Sequence, residues 1–118
     1  MNFLLVGLGG ALGSMARYGF YRLLPPPLGT MGVNISGGLL MGVMVGWLMA
    51  RGLQADGSRL FIGMGVLGGF TTFSAFSLDV VQMIERGAWG QAAGYALGST
   101  VLSVAALFLG LAFGRWAA

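Results

Sequence analysis

Residues 68–77 read Gly68-Gly69-Phe70-Thr71-Thr72-Phe73-Ser74-Ala75-Phe76-Ser77. Two glycines followed by two β-branched hydroxyl residues make a poor stretch of continuous helix. Yet they sit inside an apolar segment, from about Leu60 to Ile84, whose one charged residue is Asp79. A segment of that length crosses a bilayer as a helix. The sequence therefore predicts a transmembrane helix broken at mid-membrane. Such a break frees backbone N–H and C=O groups, which need partners inside the protein because lipid offers none. Released carbonyls are good ligands for an alkali cation. A kinked helix whose Ser and Thr side chains satisfy the freed groups is the alternative.

The rest of the chain extends that reading. It has 118 residues, of which 57% are apolar, 8% are charged and 23 are glycine, and mean hydropathy is +0.87. A soluble domain carries about 25% charged residues, so a soluble enzyme is excluded first. The charges stand at Arg17, Arg22, Arg51, Asp56, Arg59, Asp79, Glu85, Arg86 and Arg115. Between them lie uncharged stretches at 1–16, 23–50, 60–78 and 87–114. At roughly 20 apolar residues per crossing there is room for four spans. The expected fold is all-α, one four-helix transmembrane domain over residues 1–118. Span one runs from about Asn2 to Leu24 and ends at Pro25-Pro26-Pro27, which cannot continue a helix ladder. Its start lacks a basic n-region and is read as a span rather than a signal peptide. Span two runs from about Thr30 to Ala50, a polar loop covers Arg51 to Arg59, and span four runs from Trp89 to Trp116, with tryptophan anchors at both ends.

Absences narrow the chemistry. Without His or Cys there is no disulfide, zinc cluster, Ser-His pair or thiolate nucleophile. The pI near 10.2 does not imply nucleic acid, because the arginines are scattered singly. Glycines four apart, at Gly9/Gly13, Gly38/Gly42/Gly46, Gly65/Gly69, Gly90/Gly94/Gly98 and Gly110/Gly114, predict close helix packing. Tyr95, Ser99 and Ser103 fall at i, i+4 and i+8 and make a hydroxyl stripe on one helical face. Thr30 and Asn34 pair in the same way.

Arginine counting bears on orientation, because cytoplasmic loops normally carry the excess. One side of the membrane receives Arg17, Arg22 and Arg86, the other Arg51, Arg59 and Arg115, three against three. With no bias, both orientations are available, and an antiparallel homodimer of inverted protomers is the expectation; the alternative is that a helper or the N-terminal amine fixes one topology. Four helices alone also enclose too little space for a water-filled path.

The available groups suit a small anion. Ser, Thr, Tyr and Asn offer hydrogen-bond donors, and the rings of Phe73 and Phe76 present positive edges. A proton-coupled cation exporter would need an embedded acid, and span one has none. That exporter, and a non-transporting membrane scaffold, remain the alternatives from other classes.

The motif at 68–77 resembles the signature of the fluoride channels of the Fluc/CrcB family. Gly10-Ala11-Leu12-Gly13 with Arg17-Tyr18, Gly29-Thr30 with Val33-Asn34 and Gly37-Gly38, and Tyr95-Ala96-Leu97-Gly98-Ser99 match its other patterns in order. The resemblance implies a fluoride-selective channel in a bacterial inner membrane, passing cytoplasmic fluoride down its gradient. It implies a dual-topology homodimer with two pores and a structural sodium ion on the two-fold axis, held by the backbone carbonyls of Gly68 and Thr71. Phe73 and Phe76 match the pore phenylalanines, Asn34 the pore-mouth asparagine, and Tyr95, Ser99 and Ser103 the polar track. Thr72 and Ser74 belong to the same motif, and Arg17 takes a vestibule position. Two departures stand out: Ala75 replaces the usual threonine, which removes one hydroxyl, and Asp79 stands where a glutamate is common.

Overall fold

The computed structural model describes residues 2–52 and 57–118. Asp56 lies outside the described residues, as does the rest of the polar loop's middle, 53–55. The elements are α1 (Asn2–Leu23), α2 (Leu28–Ala50), α3 (Gly57–Arg59), a π-helical segment (Leu60–Leu67), α4 (Gly68–Phe70), α5 (Phe73–Glu85) and α6 (Trp89–Ala117). Among the described residues, four helical runs are long and apolar enough to cross a membrane: Asn2–Leu23, Leu28–Ala50, Phe61–Glu85 and Trp89–Ala117. These are the four expected spans. The proline run ends α1 as expected, but α2 starts two residues early, at Leu28, because the Pro25 and Pro27 carbonyls already accept from Gly29 and Met31.

The longest contact in the protomer joins α2 to α6, and absent side chains make it possible. A Cβ added at Gly42 would strike the Leu107 carbonyl, and one at Gly110 would strike the Leu39 carbonyl. The backbones thus touch where a larger residue would hold them apart. α1 meets the first half of span three in the same way, with Gly9 against Gly65 and Gly13 against the Val66 carbonyl. The glycines of α6 at 90, 94 and 98 behave differently. Among the described residues nothing lies within 4 Å of where their Cβ atoms would be, so these residues leave this face uncovered in a single protomer.

Span three departs from the α form twice. Residues 60–67 follow π geometry, in which the Gly68 N–H reaches back five residues to the Gly63 carbonyl. Then Thr71 (φ −82°, ψ 157°) and Thr72 (φ −153°, ψ 128°) are extended, and helix resumes at Phe73. The expected mid-span break is present. At the far end Gly87, at φ +77°, turns the chain from α5 into α6, while the Gly87 and Ala88 N–H groups satisfy the Ile84 and Met83 carbonyls. Met83, Ala92 and Tyr95 form the buried core of that corner, packed by Met31, Phe76 and Val80.

Candidate functional site

The break is held by one side chain from α2. Asn34 Oδ1 accepts the Thr72 N–H at 2.8 Å, and Asn34 Nδ2 donates to the Thr72 carbonyl at 2.9 Å. Both peptide groups of the extended residue therefore have a protein partner, as a site remote from water requires. Thr72 Oγ1 then accepts the Ala75 N–H at 3.2 Å and caps α5. The same hydroxyl lies 3.3 Å from Ser74 Oγ.

These bonds redirect two donors. In a continuous helix the Thr72 N–H would serve the Gly68 carbonyl and the Ala75 N–H the Thr71 carbonyl. Here one goes to Asn34 and the other to the Thr72 hydroxyl. The Gly68 and Thr71 carbonyls, which the family resemblance implies as cation ligands, thus lose the donors that a continuous helix would give them. Among the described residues no group of three or more His, Cys, Asp or Glu side chains could hold a metal ion.

Beside the break lies an open cavity of about 300 Å³ lined by Asn34, Thr71, Thr72, Phe73, Phe76, Ser99, Thr100 and Ser103. Three stretches that are distant in sequence converge there: α2, the break with the start of α5, and α6. The rings of Phe73 and Phe76 stand 5.6 Å apart at 44°. Phe73 is 77% exposed in the protomer, whereas Phe76 is half-buried and leans on Tyr95 with ring centroids 5.3 Å apart.

The hydroxyls around the cavity fall into two kinds. Thr71 and Thr100 donate to carbonyls four residues back, at 3.0 and 2.7 Å, the ordinary behaviour of such groups in membrane helices. Ser99 does not. It is 3% exposed, and its Oγ has no hydrogen-bond partner among the described residues. A buried hydroxyl without a partner costs about 1–3 kcal/mol, so it marks a place where a ligand or water belongs.

The structure brings Asn34, Thr72, Phe73, Phe76, Ser99 and Ser103 together at this cavity. Ser74 is exposed beside Thr72. Tyr95 does not line the cavity; it sits one turn before Ser99 and donates its hydroxyl to Asp79 Oδ2 at 2.8 Å. Arg17 is half-buried on α1, apart from the cavity-lining residues. Gly68 is exposed and Thr71 half-buried at the break. Two polar contacts escape a reading from spacing alone: the Asp79–Tyr95 pair, 8% and 7% exposed, and the fully buried Thr30, 3.1 Å from the Tyr21 hydroxyl. The i, i+4 pairing of Thr30 with Asn34 was the available signal. It marked the right face of α2 without naming its partners.

Comparison with known proteins gives a consistent result. The family described as "CrcB-like protein, Camphor Resistance (CrcB)" matches residues 4–111. A protein from Phenylobacterium zucineum (strain HLK1), named "Fluoride-specific ion channel FluC", is 55% identical over 95% of this chain and 94% of its own length. A protein of the same name from Agrobacterium fabrum (strain C58 / ATCC 33970) is 54% identical over 98% and 97%. Another from Caulobacter vibrioides (strain NA1000 / CB15N) is 50% identical over 95% and 94%.

Proposed function

From the premise that the chain belongs to the CrcB family, we propose that it is a fluoride-specific ion channel, a multi-pass membrane protein of the bacterial inner membrane. It lets cytoplasmic fluoride leave passively, and it is not an enzyme. The observation that carries this reading in the structure is the unpartnered Ser99 hydroxyl beside a cavity walled by two phenylalanines. A small, strongly hydrated anion gives up water only where donors replace it. Ser99, Ser103 and the remaining Asn34 N–H supply hydrogen-bond donors, and the Phe73 and Phe76 rings supply positive edges. Tyr95 closes one end of the hydroxyl stripe, and Arg17 contributes positive charge near the membrane surface. Thr72 and Ser74 shape the turn into α5.

The functional unit is an antiparallel homodimer of inverted protomers. Three features support it: the balanced arginines, the uncovered Gly90/Gly94/Gly98 face, and a Phe73 ring left 77% exposed. The residues at the break fit a structural sodium ion. Gly68 and Thr71 would hold it through carbonyls whose helical donors are engaged elsewhere, and the ion would supply a counter-charge for those oxygens.

The test uses purified protein in liposomes loaded with potassium fluoride. Valinomycin is added, efflux is followed with a fluoride electrode, and chloride-loaded vesicles run alongside. Rapid fluoride release without chloride release is the expected result. Release of neither ion from folded dimer overturns the channel reading, and release driven by a proton gradient would favour a cation exporter.

A further inference from the structure

The Asn34 amide is already engaged by the backbone. Its oxygen and one of its N–H groups are spent on Thr72, at 2.8 and 2.9 Å, and only one N–H remains for the cavity that Asn34 also lines. The side chain thereby imitates a neighbouring β-strand. It offers one acceptor and one donor to the two peptide groups of a single extended residue. No other residue type of similar size does both. A carboxylate only accepts, and a serine hydroxyl is too short to reach both groups.

We propose that Asn34 is the positioning residue of the span-three break, beyond any contact it makes with a permeating ion. Its amide decides where the helix stops. By capturing the Thr72 N–H it deprives the Gly68 carbonyl of its helical donor. By holding Thr72 extended it aims the Thr72 hydroxyl at the Ala75 N–H, which in turn releases the Thr71 carbonyl. The same act sets the start of α5, and with it the directions of Phe73 and Phe76. Without the amide, the partner that helix geometry offers the Thr72 N–H is the Gly68 carbonyl four residues back, and the break closes toward continuous helix. α2 is a suitable anchor. Val33, the residue before Asn34, is fully buried, and four residues after Asn34 the added Cβ of Gly38 would meet the Ser103 carbonyl, so the helix cannot slide to follow Thr72.

The inference rests on the sodium and channel readings only for what the break is used for, and its test separates the three. Asn34→Ala and Asn34→Asp are compared with Ser99→Ala in purified protein. Three quantities are measured: hydrogen exchange at the Thr72 amide, the rise in melting temperature when sodium replaces N-methylglucamine, and fluoride efflux. In Asn34→Ala the Thr72 amide changes its exchange rate by about tenfold or more, the order set by one lost hydrogen bond. Sodium stabilisation and efflux fall with it. Asn34→Asp keeps an acceptor for that N–H, so Thr72 stays protected while efflux falls. Ser99→Ala loses efflux but keeps both the Thr72 protection and the response to sodium. If Asn34→Ala does not fold, its collapse beside a folded Asn34→Asp with a protected Thr72 still supports the positioning role. A Thr72 amide within about twofold of wild type in Asn34→Ala, with efflux lost, overturns the proposal and leaves Asn34 as a pore ligand only. A wild-type protein indifferent to sodium removes the sodium reading, and one without efflux removes the channel reading. In both cases the Thr72 amide still decides the role of Asn34.

Discussion

α2 holds two neighbours by opposite means. At Gly42 it meets α6 backbone to backbone, and the contact exists because a side chain is missing. Two turns earlier, at Asn34, it meets span three through one amide and two hydrogen bonds. The first contact is non-directional and repeated at Gly46, Gly110 and Gly114. The second is a single directional device acting on a single residue. Rigidity is distributed and made of absences, whereas the feature that distinguishes the site is local and made of polar groups. The scaffold should therefore fail by collision, and the site by loss of a donor or an acceptor.

The largest effect is expected where a side chain is forced into the glycine contact. In Gly42→Leu the new Cβ meets the Leu107 carbonyl, Leu111 N and Gly110 Cα, none of which can rotate away. Overpacking typically costs about 1–3 kcal/mol, and more where, as here, the atoms struck are backbone. The variant should yield no monodisperse protein by size-exclusion chromatography. Gly94→Ala, on the face of α6 that a single protomer leaves uncovered, should leave the protomer's own fold intact, since nothing among the described residues lies within 4 Å. Loss of Gly94→Ala protein would show that a partner helix covers that face as tightly as α2 covers Gly110.

Next in size is Phe76→Ile, which keeps apolar bulk while removing a ring edge from the cavity. Fluoride efflux should fall by up to about tenfold, the scale of one lost ring-edge interaction of up to about 1.5 kcal/mol. The melting temperature should stay close to wild type, because Phe76 is only half-buried. Phe73→Ile should follow the same pattern. Normal efflux in both variants would leave the rings as ordinary packing against Tyr95.

The contrast between the two α2 contacts also explains what the sequence made legible. Four spans, the proline stop and the break at Thr71-Thr72 could be read because each depends on local properties: apolar length, a missing N–H, or glycines beside β-branched residues. The hydroxyl stripe could be read as a face, and Ser99 and Ser103 do line the cavity. Tyr95, on the same stripe, is claimed instead by Asp79, sixteen residues away, which periodicity cannot foresee. The Asn34–Thr72 bonds join residues 38 apart, so spacing gave their face and not their partner. The π-helical stretch left no sequence signal. Gly63 and Gly65 read equally well as ordinary packing glycines, and the π geometry sits where Gly65 is pressed against Gly9.

The smallest effect sharpens the comparison most, because it divides one residue into its backbone and its side chain. In Thr72→Val the β-branch that favours the extended conformation is kept, and the Asn34 bonds to the backbone are untouched. Only the hydroxyl that accepts the Ala75 N–H is removed. Losing an N-cap acceptor of this kind costs about 1 kcal/mol, seen as a melting temperature lower by a few degrees. Thr72→Ser, which restores the acceptor, should recover most of the difference. Because that hydroxyl is what withholds the Ala75 N–H from the Thr71 carbonyl, Thr72→Val should also weaken the sodium response, while the Thr72 amide, held by Asn34, stays protected. The two released carbonyls then answer to two different residues, Gly68 to Asn34 and Thr71 to the Thr72 side chain. A sodium response unchanged in Thr72→Val would show instead that the extended backbone held by Asn34 is enough to keep both carbonyls free.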